Sequence, residues 1–226
     1  MATTNNSTTM SDNSLLEAKD ISHSFDYLLF KDIDFTLQQN ESVAIIGTSG
    51  SGKSTLLNIF SSLLTPNKGE IYYNNANIYN LSHKKLLEIR KNDFVIIFQA
   101  HYLFRGFNSS ENLHITELLN DTIVDEKLLK KLKIDHILSQ GIGELSGGQQ
   151  QRLSCARVLT KKPKVIFADE PTGNLDKDTA DELIDILFDY IKMNNGAMVM
   201  VTHDQNIAFK CDKVYKLIDY KLERLQ

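Results

Sequence analysis

The sequence predicts an α/β fold with a mainly parallel sheet, and three observations predict it. Val43-Ala44-Ile45-Ile46 and Val165-Ile166-Phe167-Ala168 are short continuous apolar runs, the pattern of strands covered on both faces. Each leads into a segment of helical character, and strands alternating with helices build a sheet that is parallel at its centre. From about Ala100 to Ala156 the pattern turns mostly helical, so a helical lobe is inserted into the α/β core.

In chain order, residues 1–13 are Thr/Asn/Ser-rich without periodicity and read as a disordered polar tail, with Met10 as an alternative start. Ile33, Phe35 and Leu37 alternate as in a half-buried strand. A helix over Ser54 to Leu64 follows the first apolar run, then an edge-type strand, Gly69 to Tyr73, and an apolar one, Phe94 to Phe98. Later, Ala180, Leu183, Ile184, Leu187 and Ile191 recur at helical spacing, and Ala197 to Val201 reads as the last apolar strand.

Composition limits the function classes. A chain of 226 residues with 42% hydrophobic and 24% charged residues is neither disordered nor fibrous. Its two cysteines provide no disulfide framework, and Cys155 reads as a small buried hydrophobe. No apolar run reaches the roughly 18 residues of a membrane span, and the start lacks a signal pattern, so a cytoplasmic protein is expected. The net charge of −4 carries no nucleic-acid footprint. Lys127, Lys130, Lys131 and Lys133 read as the solvated face of an amphipathic helix.

Three motifs carry chemistry. Gly47-Thr48-Ser49-Gly50-Ser51-Gly52-Lys53-Ser54, with Thr55 after it, has the P-loop pattern between a strand and a helix. Its glycines let backbone N–H groups turn toward a phosphate, Lys53 would bridge β- and γ-phosphate oxygens, and the Ser54 hydroxyl would ligate Mg²⁺. The run Val165 to Ala168 ends in Asp169 and Glu170, where Asp169 would hold Mg²⁺ through water and Glu170 would act as general base. Leu145-Ser146-Gly147-Gly148-Gln149 places two glycines before a helix, a second phosphate-approach site. Two half-sites for one anion are natural in a head-to-tail dimer with nucleotide between the copies.

Taken in chain order, the three motifs resemble Walker A, the LSGGQ signature and Walker B of the ATP-binding cassette ATPases, over the chain from about Leu15 to its end. The resemblance implies a P-loop NTPase (RecA-like) core at 14–99 and 157–226, an antiparallel β subdomain, and a helical subdomain at 100–156. It implies ATP and Mg²⁺ as ligands, and a homodimer in which Ser146, Gly147, Gly148 and Gln149 meet the partner's nucleotide. Asn174-Leu175-Asp176 matches the loop that contacts the opposite copy. Gln99 matches the glutamine that contacts Mg²⁺ or the attacking water, and His203 the switch histidine at the γ-phosphate. Phe25 sits where the family stacks an aromatic on adenine; a core Phe on a strand is the alternative.

The stretch Ala168 to Asp176, with Gln99-Ala100-His101-Tyr102-Leu103-Phe104 and Ser110-Glu111-Asn112-Leu113, is similar to the lipoprotein-release, macrolide-export and cell-division group (LolD-, MacB- and FtsE-like). It departs from that group at Ala100 and at Phe104-Arg105-Gly106. The chain ends soon after the core, so separate integral membrane permease subunits are expected, with the ATPase peripheral on the cytoplasmic face of the inner membrane. The implied cargo is a lipoprotein or another amphipathic molecule; a cell-division ATPase that regulates a membrane partner without transport is the alternative, and a soluble ATPase a further one. Tyr102, Leu103, Phe104 and Phe107 read either as core of the helical lobe or as a groove for a short helix of the membrane partner.

Overall fold

The computed structural model describes residues 14–226; the tail at 1–13, with Met10, lies outside the described residues. In chain order the elements are β1 (Ser14–Ser24), β2 (Leu28–Gln38), β3 (Ser42–Ile46), α1 (Lys53–Phe60), β4 (Lys68–Tyr73), β5 (Ala76–Asn77), α2 (His83–Asn92) and β6 (Phe94–Ile97). Three helices follow, α3 (Ser109–Asn120), α4 (Glu126–Lys131) and α5 (Gly147–Thr160). The chain closes with β7 (Val165–Asp169), α6 (Lys177–Met193), β8 (Ala197–Val201), α7 (Gln205–Ala208), β9 (Lys213–Ile218) and β10 (Lys221–Arg224).

Two sheets result. The larger has the order β10-β9-β3-β8-β7-β6, parallel from β9 to β6, with β10 antiparallel at one edge. The smaller is antiparallel, in the order β2-β1-β4-β5. Alternation explains how the central sheet is covered on both faces. Val43, Ile45, Val165, Phe167, Val199 and Val201 point into one core, shared with α1 and the antiparallel sheet. Ala44, Ile46, Ile166, Ala168, Met198 and Met200 point into the other, shared with α5 and α6. Of the spaced apolar positions of α6, Leu183, Ile184, Leu187 and Ile191 are buried in that second core, and Ala180 is buried outside it.

Four local readings change. The strand at Gly69–Tyr73 is not an edge: β4 lies between β1 and the two-residue β5. Helix α1 stops at Phe60, because Ser62 takes a left-handed backbone (φ 66°) that ends helical progression. Helix α5 starts at Gly147 rather than after the glycines, because Ser146 and Gln149 cap its end reciprocally. The lysine cluster is exposed, as read, but Lys133 lies beyond the end of α4; Lys131 pairs with Asp189 at 2.6 Å and Lys133 with Glu182 at 2.7 Å, both on α6.

Both cysteine thiols are buried and unpaired, and burial pushes each up to about 12. A thiol that hardly ionises is a poor nucleophile. The native protein is therefore expected to give no reaction with a disulfide reagent over minutes, and two equivalents after denaturation; prompt native labelling would contradict the buried assignment.

Candidate nucleotide site

The site forms where strands of the central sheet end at their C-terminal edge. The loop after β3 curls over the start of α1, and Gly52 closes it at φ +97°, a backbone that side chains rarely adopt. A Cβ there would also meet the ring of Phe30 at 3.3 Å. A Cβ on Gly47 would collide with the Leu217 carbonyl at 2.9 Å, so the first glycine is required by close packing. Lys53, only 9% exposed, turns its ammonium back along this loop and donates to the Gly47 and Thr48 carbonyls at 3.0 and 2.9 Å.

Adjacent β7 delivers the carboxylates. Ser54 Oγ donates to Asp169 Oδ1 at 2.9 Å, which joins the P-loop to the strand end. Burial raises the Asp169 carboxyl above the usual range, the Ser54 bond pulls it back, and the neighbouring Glu170 charge adds to the rise. Glu170 itself has a left-handed backbone (φ 47°), an uncommon conformation for a non-glycine residue. Its Oε2 accepts from Thr202 Oγ1 at 3.2 Å, from the His203 backbone N–H at 3.3 Å, and lies 2.9 Å from His203 Nδ1.

A cleft of about 490 Å³ gathers Phe25, Ser49, Gly50, Gly52, Lys53, Ser54, Thr55, Gln99, Asp169, Glu170 and His203. Of the P-loop residues, Gly47, Thr48 and Ser51 do not line it: the first two present carbonyls to Lys53, and Thr48 and Ser51 line a neighbouring groove. Phe25 lies one residue beyond β1 and is 60% exposed, so its reading as a strand core residue fails. Sequence reasoning missed Tyr27, Leu29 and Thr202. An exposed aromatic two positions after Phe25 was a signal for Tyr27; nothing local marks Thr202, whose hydroxyl matters only once β8 lies beside β7.

Ser146, Gly147, Gly148, Gln149 and Asp176 stand outside the cleft. Ser146 Oγ accepts from the Gln149 N–H at 3.2 Å, while Gln149 Oε1 accepts from the Ser146 N–H at 2.8 Å. Asp176 caps α6 by accepting from the Thr179 N–H at 3.0 Å, a bond that holds its carboxyl below the usual range. The buried Gln151 side chain of α5 donates to the Pro171 carbonyl at 2.8 Å, tying this end of the helix to the segment after Glu170. Asn174 donates to the Gln99 carbonyl at 3.3 Å, so that segment also touches the end of β6. Replacing the cap, Ser146→Ala should cost about 1 kcal/mol and lower the melting temperature by about 2–4 °C, read by calorimetry. An unchanged melting temperature would show that the cap carries no stability.

Around Gln99, Tyr102, Phe104 and Phe107 are exposed and only Leu103 packs on the core, so the core reading of this patch holds for Leu103 alone. Among the described residues, no helix is long and apolar enough to cross a membrane.

Residues 30–173 match the family model described as ABC transporter. The lipoprotein-releasing system ATP-binding protein LolD of Rickettsia bellii is 42% identical over 192 residues, spanning 82% of this chain and 85% of that protein. The protein of the same name in Treponema denticola is 37% identical, over 88% of this chain and 90% of its own. Among solved structures, the ATP-binding cassette MJ0796, a dimer in a post-hydrolysis state bound to ADP and Pi, superposes with a TM-score of 0.83 at 28% identity, over 93% of this chain and 99% of that one. CbiO1 from Clostridium perfringens, part of the ABC transporter complex cbiONQ, reaches 0.82 at 27% identity, over 93% and 87%. With a nucleotide cleft at the P-loop and likeness of this extent on both sides, the chain belongs to the ABC transporter family and is one of its ATP-binding, ATP-hydrolysing cassettes.

Proposed function

We propose that two copies of this chain close around two ATP molecules and drive separate membrane subunits that release lipoproteins, or another amphipathic cargo, from the cytoplasmic membrane. The observation that carries the catalytic part is the meeting of Lys53, the Ser54–Asp169 pair and the Glu170–His203 pair in one cleft. Lys53 binds β- and γ-phosphate oxygens, and the P-loop N–H groups cradle the β-phosphate. Phe25 supplies a face for the base. Glu170 takes the proton of the attacking water, held in place by Thr202 and His203, while Gln99 orients that water.

The donor set fits Mg²⁺. Ser54 and Asp169 bring a hydroxyl and a carboxylate oxygen within 2.9 Å, the hard oxygen ligands this ion takes alongside substrate phosphates. Bound there, and with Gln99 in reach of the same cleft, Mg²⁺ would neutralise phosphate charge.

Ser146, Gly147, Gly148 and Gln149 lie outside the chain's own cleft, which supports their use on the partner copy's nucleotide, with Asp176 at the same junction. The dimeric state of MJ0796 supports the pairing, and the names of the curated relatives support lipoprotein release. The helical stretch at 100–156 acts as the lobe that meets the membrane subunits on the cytoplasmic side. The test is a pull-down of tagged Glu170→Gln protein from native membranes with ATP, with partners identified by mass spectrometry. Subunits with a few spans and a large periplasmic domain are expected; a partner with a short periplasmic coil, or none, would overturn the release reading and leave the ATPase in place.

A further inference from the structure

His23 stands one residue from the end of β1, opposite Phe30 of β2 in register, and two residues before Phe25. It is 5% exposed and does not line the nucleotide cleft. Both ring nitrogens are shut off from water, and neither finds a hydrogen-bond partner among the described residues. Burial pushes the imidazole below its ordinary value, so at neutral pH the ring is uncharged, with one N–H donor and one bare nitrogen unused. An apolar side chain would fill this place without stranding polar atoms, so packing alone does not account for a histidine here.

Its neighbours supply the reason. The His23 ring meets the Phe25 ring edge-to-face, with centroids 4.9 Å apart and planes at 88°. It also lies nearly parallel to the fully buried Phe30 ring, at 6.3 Å and 29°. Phe30 in turn packs under the P-loop, its ring 3.3 Å from where a Cβ on Gly52 would stand. One aromatic series thus runs from the closing glycine of the P-loop through Phe30 and His23 to Phe25. Phe25 needs such a hold, because it sits in the three-residue turn between β1 and β2 and is 60% exposed. The backbone there is tied: the Phe25 N–H donates to the Tyr27 carbonyl at 3.1 Å, and the Ser24 N–H to the Asn67 side chain at 2.6 Å. The direction of the Phe25 ring is left to its neighbours, and among the described residues its one aromatic neighbour is His23.

We propose that His23 is a positioning residue for the base of the nucleotide: its polarised ring edge meets one face of Phe25 and holds the other face toward the cleft, at a fixed offset from the P-loop. The inference rests on the reading of Phe25 as the platform for the base, and adds the residue that sets the platform's direction. His23 touches no part of the nucleotide and acts through Phe25. A neutral imidazole suits the task, because its N–H is a donor that a π face accepts, and edge-to-face pairs carry a preference beyond the area they cover. Without that ring, Phe25 turns freely among its rotamers over solvent, and base binding must first freeze it. The signature is a loss confined to the base-dependent part of ATP affinity, with the phosphate-dependent part untouched.

The test titrates the full chain by calorimetry with Mg-ATP and with inorganic tripolyphosphate, which has the phosphates and no base. His23→Ala should weaken ATP binding by about three- to tenfold, the scale of one edge-to-face aromatic contact. Its KM for ATP should rise by the same factor while kcat stays within about twofold, and its tripolyphosphate affinity should not move. His23→Phe, which keeps an aromatic edge, should return ATP affinity to within about twofold of the parent. In a Phe25→Ala background, His23→Ala should add nothing, because the residue it acts through is gone. Equal losses for ATP and tripolyphosphate, or an undiminished loss in the Phe25→Ala background, overturn the proposal. Should His23→Ala misfold, His23→Leu, apolar and without a ring edge, serves with the same sign. Parent affinity in a folded His23→Ala protein, with Phe25→Ala still weakened, sinks the positioning role and spares the platform. No loss in Phe25→Ala sinks the platform reading, and this proposal with it.

Discussion

Glu170→Gln is expected to lower ATP turnover by about 10²–10⁴-fold while leaving ATP affinity within a few-fold of the parent. The geometry says why the two separate. Glu170 Oε2 is tied by Thr202 and His203, and an amide oxygen can accept the same bonds, so the cleft keeps its shape. What the amide cannot do is take a proton from water. The left-handed backbone at Glu170 is equally available to Gln, so folding stability should be unchanged. With hydrolysis blocked, ATP should shift the protein to a dimer in size-exclusion chromatography with light scattering. Turnover at the parent rate would remove Glu170 as the base; loss of both turnover and ATP binding would make it a structural group.

Lys53→Ala should have the opposite signature, losing affinity first. The ammonium is nearly buried and positioned by two loop carbonyls, at the point where phosphate oxygens would replace them as acceptors. Each charge-assisted bond lost is worth about 1.5–3 kcal/mol, so losing two should weaken ATP binding by about 10²–10⁴-fold. Titration with a fluorescent ATP analogue reads this directly, and a thermal melt of the free variant checks that the fold survives. Near-parent affinity in a folded variant would sink the P-loop assignment.

The parts legible in sequence were those fixed by local pattern. Continuous apolar runs marked β3, β7 and β8 because both faces of those strands are covered, and the glycines before Lys53 marked a loop that only small residues can form. What was not legible depends on neighbours distant in the chain. Thr202 reaches Glu170 only because β8 lies against β7, and β4 is internal only because β5 folds back on it. The glycines at 147 and 148 read as lying before the helix, and the chain takes them into its first turn through the cap made by their neighbours. Arg90 and Lys161 are 71 positions apart and gave no sequence signal as a pair; the fold places the ammonium of one on the carbonyl of the other.

That cap has a thermodynamic consequence. With Ser146 and Gln149 bonded to each other's backbone, the turn before α5 is ordered already in the single copy. In the proposed pairing, a second molecule docking against it would meet amides whose directions are set, so association would have no loop to freeze there. The heat-capacity change of ATP-driven pairing should then follow the apolar surface covered, without the additional negative contribution that folding a disordered turn on contact would add.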